Sequence, residues 1–167
     1  ALVHENPDRA DLMVTELSDF LRFTLKYNDR ITITILEEIN ITEKYLAIEK
    51  IRFEERLDYS IKFDNAILNV EIPCFITQPL VENAVKFGLK NNSKGIKIRM
   101  NFFRSEGNIV IEVSNTGKLS DGWSMGIGLQ NVTERLNNAY PGDYKFDLDE
   151  AEGYVVSRIL IRIKEEI

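Results

Sequence analysis

The chain has 167 residues, of which 44% are apolar, enough for one ordinary domain with a core of its own and unlike the composition of a disordered chain. With 21 basic residues against 27 acidic ones the net charge is −6, and no basic run or stripe is present, which argues against a nucleic-acid partner. A single cysteine, Cys74, excludes an intramolecular disulfide, and with His4 as the one histidine no zinc cluster can be assembled.

No apolar stretch reaches the length of a bilayer span and no signal peptide opens the chain, which starts at Ala1 and so reads as a fragment suited to a reducing, cytoplasmic setting. Asn6-Pro7-Asp8 is a helix start, and Ala10, Met13, Val14, Leu17, Leu21, Thr24 and Leu25 then recur at helical spacing. One apolar stripe needs a partner. Over 36–56, Leu36, Ile39, Leu46 and Phe53 mark one stripe and Ile41, Tyr45 and Ile48 another on the opposite side, which predicts an interior helix covered on two faces. The period then changes to two: Leu57, Tyr59, Ile61 and Phe63 alternate with Asp58, Ser60, Lys62 and Asp64, predicting a strand with one buried face. Residues 65–71 read as a connector, and Cys74 as a small buried hydrophobe.

A helix entered through Pro79 puts Leu80, Ala84 and Phe87 on one stripe and Glu82, Asn83 and Lys86 on an adjoining one. A carboxylate can polarise a nucleophile, an amide oxygen can ligate a hard cation, and an ammonium can hold a phosphate. After a polar loop at 91–95, Ile96, Ile98, Met100 and Phe102, then Ile109, Ile111 and Val113, predict an antiparallel hairpin. Residues 118–125, with Gly122 and Trp123, read as a mobile lid. Gly126-Ile127-Gly128-Leu129 opens an amphipathic helix that stops at Tyr140-Pro141-Gly142; glycines there let backbone approach phosphate and aim helix N–H groups at it. A last hairpin pairs Tyr144, Phe146 and Leu148 with Val155, Ser157, Ile159, Ile161 and Ile163, placing the Ser157 hydroxyl on the buried face. Three helices interleaved with about five strands predict an α+β fold, a two-layer sandwich with helices on one face of a mixed sheet, preceded by an N-terminal helix.

Two stretches together carry a resemblance: Gln78-Pro79-Leu80-Val81-Glu82-Asn83-Ala84-Val85-Lys86, and Gly126-Ile127-Gly128-Leu129-Gln130-Asn131-Val132 followed by Arg135-Leu136. This wording resembles the ATP-binding catalytic domain of two-component sensor histidine kinases, in the superfamily shared with gyrase and MutL, and is closest to the LytS-like branch. The resemblance covers about 17–163. It implies the Bergerat ATP-binding fold over residues 31–167, with residues 1–30 as the end of the dimerisation and phosphoacceptor helical region.

By that resemblance Asn83 ligates Mg²⁺ between the phosphates of ATP, Glu82 polarises the phosphoacceptor histidine, and Lys86 neutralises phosphate charge. Phe87, Gly126, Ile127, Gly128 and Leu129 belong to the same two boxes and are expected to contact the nucleotide. Between the boxes the family carries an Asp-x-Gly-x-Gly element whose aspartate accepts from the adenine amino group. Here Asn115 stands in the aspartate's place, Gly117 is retained and Leu119 replaces the second glycine. A neutral acceptor predicts weaker binding, and tighter binding in Asn115→Asp. Ser157 matches a hydroxyl near adenine in the family's last strand, with a bond to neighbouring backbone as the equal alternative.

His4 lacks the Pro-His-Phe context of the branch's acceptor, so the resemblance puts the phosphoacceptor outside this chain. The same resemblance implies a homodimer in the full-length protein, a response regulator as partner, and a cytoplasmic domain of an inner-membrane sensor with its membrane region upstream. A degenerate nucleotide-binding or dimer-signalling module without phosphotransfer is the alternative, to which Asn115 and Leu119 lend some weight.

Overall fold

Asn6 starts the first helix by accepting a bond from the Arg9 N–H at 3.1 Å, with Pro7 behind it in the first turn. The computed structural model describes residues 6–27, 29–119 and 124–163. His4, and Gly122 and Trp123 of the expected lid, lie outside the described residues. Within them the chain runs α1 (Pro7–Leu25), β1 (Thr32–Thr34), α2 (Ile35–Phe53), β2 (Leu57–Phe63), β3 (Glu71–Pro73), α3 (Gln78–Asn91), β4 (Ile96–Ser105), β5 (Asn108–Thr116), α4 (Ile127–Ala139), β6 (Tyr144–Ala151) and β7 (Tyr154–Arg162).

The main sheet has the order β2-β4-β5-β7-β6, with β2 and β4 parallel and the other neighbours antiparallel. Both expected hairpins form, β4 with β5 and β6 with β7, and Leu148 stands opposite Ser157 as the alternation requires. Ile98, Met100, Phe102, Ile111, Val113 and Ile159 present one face of this sheet to Ile39 and Leu46 of α2, Leu80, Val81 and Val85 of α3, and Val132 and Leu136 of α4 in a single core. The fold is therefore the expected α+β sandwich with a mixed sheet and a preceding helix.

A second, small sheet pairs β1 with β3, Ile33 opposite Ile72. Three-residue strands carry no readable period, so the connector expectation missed it. This pairing brings the chain that leads into α2 beside the chain that leads into α3, and it seats Cys74 in a second cluster with Tyr27, Ile33 and Ile41. Ile41 thus covers the second face of α2, as the two-stripe pattern predicts.

Three expectations about burial need correction. Leu36 is 40% exposed and Ile35 is buried in its stead, because Thr34 and Glu37 form a capping box that starts the helix one residue earlier than the stripe suggests. Phe63 is 46% exposed at the end of β2, which is an edge strand of the sheet. In α1 the predicted stripe divides: Ala10 is buried and Met13 half-buried, but Val14, Leu17, Leu21 and Leu25 are exposed, while Phe20 meets Tyr45 of α2 with ring centroids 6.3 Å apart and Phe23 joins the second cluster.

Candidate active site

The chain enters α3 through a loop held by a buried acid. Glu38 of α2, fully buried, accepts the Thr77 N–H at 2.7 Å and the Phe75 N–H at 2.9 Å. These bonds replace a side-chain cap, which Thr77 does not supply. Burial pushes the Glu38 carboxyl above its ordinary range, and the Thr77 and Phe75 amides pull against that shift.

From this start α3 turns Leu80 and Ala84 into the core and sets the half-buried Asn83 over the sheet. Phe87, expected on the core stripe, is 38% exposed. The reason is a cavity: Asn83 and Phe87 line it from α3, Asn115 from β5, Leu129 from α4, Ser157 from β7, and Leu119 from the segment after β5, around about 510 Å³ of free space including the open mouth.

Gly88 permits this convergence. A Cβ there would stand 2.9 Å from Ile96 Cδ1 and 3.2 Å from Asn115 Nδ2, so only glycine lets the helix lie so close to the Asn115 amide. Asn115 is 8% exposed, and its Nδ2 donates to the Thr116 carbonyl at 3.2 Å. One of its two N–H donors is thereby engaged, which leaves the Oδ1 acceptor and the second N–H for a ligand. An aspartate would set an oxygen against that carbonyl, a cost that opposes the gain expected of Asn115→Asp. Gly117, at φ +138°, then turns the chain and donates to Gly153 at 3.0 Å, while the Leu119 N–H reaches a carboxylate oxygen of Glu150. The end of β5 is thus tied to the β6–β7 turn.

Not every expected residue lies in the cavity. Gly126, Ile127 and Gly128 stand exposed at the start of α4 beside Leu129, and no side chain caps them. A Cβ on Gly126 would meet nothing within 4 Å and one on Gly128 only Pro79 Cβ at 3.6 Å, so packing does not demand glycine at either. What the pair supplies is bare helix N–H groups open to an anion.

Lys86 is exposed, with its Nζ 5.3 Å from the Phe87 ring centroid. Glu82 is exposed on the far side of Asn83, where it shares a shallow depression with Gln78, Gly128 and Arg135, and its Oε1 accepts from Gln78 Nε2 at 2.7 Å. Gln78, which the sequence leaves without a role, orients Glu82. Glu49 on α2 feels the charge of Glu82; it is buried, one of its oxygens has no hydrogen-bond partner, and Arg52 stands 3.8 Å away. Burial raises its pKa, Arg52 opposes this and Glu82 adds to it. Sequence reasoning also missed Glu38 and Glu49; their one signal is an acid at a position where both faces of a helix are covered.

Among the described residues no group of three acidic, histidine or cysteine side chains could cage a metal. The single amide of Asn83 suits a hard ion that draws its remaining ligands from water and phosphate.

The helical layer over a mixed sheet is a fold that solved histidine kinase domains share. The catalytic domain of histidine kinase ThkA superposes with a TM-score of 0.59 at 20% identity, over 78% of this chain and 94% of that one. The histidine kinase domain of a blue-light activated kinase from Erythrobacter litoralis gives 0.60 at 14% identity, over 96% of this chain and 83% of that one.

The sequence carries the same relationship. The histidine kinase family model matches residues 1–57. The sensor histidine kinase YesM of Bacillus subtilis is 32% identical over 157 residues, 90% of this chain and 27% of that protein. The sensor histidine kinase BtsS of Escherichia coli is 28% identical over 166 residues, 98% of this chain and 29% of that protein. The chain is a homologue of sensor histidine kinases, and it spans between a quarter and a third of the length of these curated relatives.

Proposed function

We propose that this chain is the ATP-binding catalytic domain of a sensor histidine kinase of the LytS-like branch, which transfers the γ-phosphoryl group of ATP to a histidine outside this chain and thence to a response regulator. The observation that carries the reading is the convergence of Asn83, Asn115, Leu129 and Ser157 from four elements on one cavity beside the uncapped start of α4.

Asn115 Oδ1 accepts from the adenine amino group, Ser157 lies beside it, and Phe87, Leu119 and Leu129 close the apolar walls around the base. The bare N–H groups of Gly126, Ile127 and Gly128 face the phosphates, whose charge Lys86 offsets. Asn83 would hold Mg²⁺ through its side-chain oxygen, and the ion when bound supplies charge neutralisation on the phosphates. Glu82, held by Gln78, polarises the incoming imidazole.

Residues 1–30 close the dimerisation region and residues 31–167 form the catalytic domain. The exposed stripe of Val14, Leu17, Leu21 and Leu25 supports a homodimer through α1, and the sensor homologues support an upstream membrane region in the whole protein. A response regulator partner is supported by the likeness to ThkA, of which a complex with the response regulator TrrA is known; that chain aligns at 20% identity and TM-score 0.58, over 89% of this chain and 47% of that one.

The test is calorimetric titration with ATP and GTP, with and without Mg²⁺, followed by assay of histidine phosphorylation in the longer protein. Binding that favours ATP and strengthens with Mg²⁺, together with acid-labile phosphate, is expected. ATP binding without phosphate transfer would instead favour the module that signals without phosphotransfer, and absence of nucleotide binding would overturn the site.

A further inference from the structure

The loop 74–77 that leads into α3 is gripped from two sides. Glu38 of α2 takes its N–H groups, as described above, and Arg135 of α4 takes its carbonyls: Nη1 donates to Cys74 O at 2.7 Å and to Phe75 O at 3.4 Å. Phe75 sits at φ +57°, a conformation that a side chain other than glycine holds only when its surroundings enforce it. Arg135 lines none of the nucleotide cavity, yet it lies about two helical turns beyond Gly128 on the same helix. Besides the apolar packing of the two helices, it gives a hydrogen-bonded link from the helix that presents the bare N–H groups to the segment that sets the start of the Asn83 helix.

Resting on the nucleotide-site reading above, we propose that Arg135 is a positioning residue, fixing the start of α4 against Asn83 so that both meet the same phosphates. The guanidinium is suited to this role because it is always charged and planar, and a single nitrogen of it, Nη1, lies within reach of both carbonyls. The base-reading groups Asn115 and Ser157 lie on β5 and β7, outside this link. Loss of Arg135 therefore acts more on the phosphate side than on the base side, where only the wall residues Leu129 and Phe87 ride on α4 and α3. A purely structural tether would instead weaken all ligands alike, or none.

The experiment compares wild type, Arg135→Gln and Arg135→Lys by titration with adenosine alone and with ATP plus Mg²⁺, alongside thermal unfolding. Arg135→Gln is expected to keep adenosine affinity while losing roughly tenfold in Mg²⁺-ATP affinity, with Arg135→Lys in between. Equal Mg²⁺-ATP affinity in all three proteins, or a parallel loss for adenosine and Mg²⁺-ATP, overturns the positioning role. If Arg135→Gln does not fold, the same comparison on Arg135→Lys decides: a selective Mg²⁺-ATP loss supports the role and no loss refutes it. Failure of the wild type to bind either ligand would strike the nucleotide reading itself and not this link.

Discussion

Gln78 Nε2 donates to Glu82 Oε1 at 2.7 Å, one turn further along α3. The bond holds the carboxylate in the depression beside Gly128, outside the cavity that Asn83 enters. Acid and amide, adjacent in sequence, therefore point to different jobs. Glu82 lines an open depression, and Asn83 lines the cavity proposed for the nucleotide. Glu82→Gln is expected to slow histidine phosphorylation roughly a hundredfold, within the usual span for a general base, and to leave ATP affinity unchanged. Gln78→Ala should give a smaller loss of the same kind. Rates in the longer protein and titration of this chain separate the two quantities; a parallel fall in ATP affinity would remove Glu82 from the proton-handling role.

Asn83 is half-buried and no hydrogen bond ties its side chain to another described residue, so its amide contributes little to the fold. Asn83→Ala should unfold within about 0.5 kcal/mol of wild type. What it should lose is the gain in ATP affinity on adding Mg²⁺, because the protein's own ligand to the ion is gone. Calorimetry with and without Mg²⁺ checks this. A variant that still responds to Mg²⁺ as wild type does would transfer the metal role elsewhere.

Glu49 makes a pH prediction with a definite sign. Burial raises its pKa in the folded chain, Arg52 works against the rise and Glu82 with it. The folded state thus holds the proton more tightly than the unfolded state does. The stability this contributes is complete below the ordinary carboxyl value and is lost as pH climbs through the raised folded value. Glu49→Gln fixes the neutral form, so the variant should melt higher than wild type near pH 7, with the difference closing below about pH 4. A variant less stable than wild type near neutrality would mean that the Arg52 pairing outweighs burial.

The sheet and its three covering helices were legible because periods of two and of 3.6 leave separate marks, and Ser157 could be placed on the buried face of β7 from alternation alone. Residues within one helical box were read less well. Spacing assigns Phe87 to the stripe of Leu80 and Ala84, but the core ends where the cavity begins, and spacing does not show where a core ends. Glu38 and Glu49 were invisible for a different reason. An acid in a helix reads as a surface residue, and only the meeting of α2 with the loop before α3 reveals that Glu38 serves two backbone amides.

Asn115 is the residue at which family pattern and structure part. On charge alone an aspartate should accept more strongly from an adenine amino group, by an amount on the order of tenfold in affinity. The structure sets two costs against that gain. Asn115 Nδ2 donates to Thr116 O at 3.2 Å, a bond a carboxylate turns into a contact between two oxygens. The residue is also largely buried, 8% exposed, so a carboxylate there would lose much of its hydration. The amide thus gives one N–H to the backbone while the residue lines the cavity, an arrangement a carboxylate cannot copy. Asn115→Asp is expected to bind ATP more weakly than wild type, by roughly tenfold, and Asn115→Ala to lose the preference for ATP over GTP. Titration of the three proteins with both nucleotides decides the matter. Tighter binding in Asn115→Asp would show that the Thr116 bond is dispensable, and an undiminished preference for ATP in Asn115→Ala would remove Asn115 as the reader of the base.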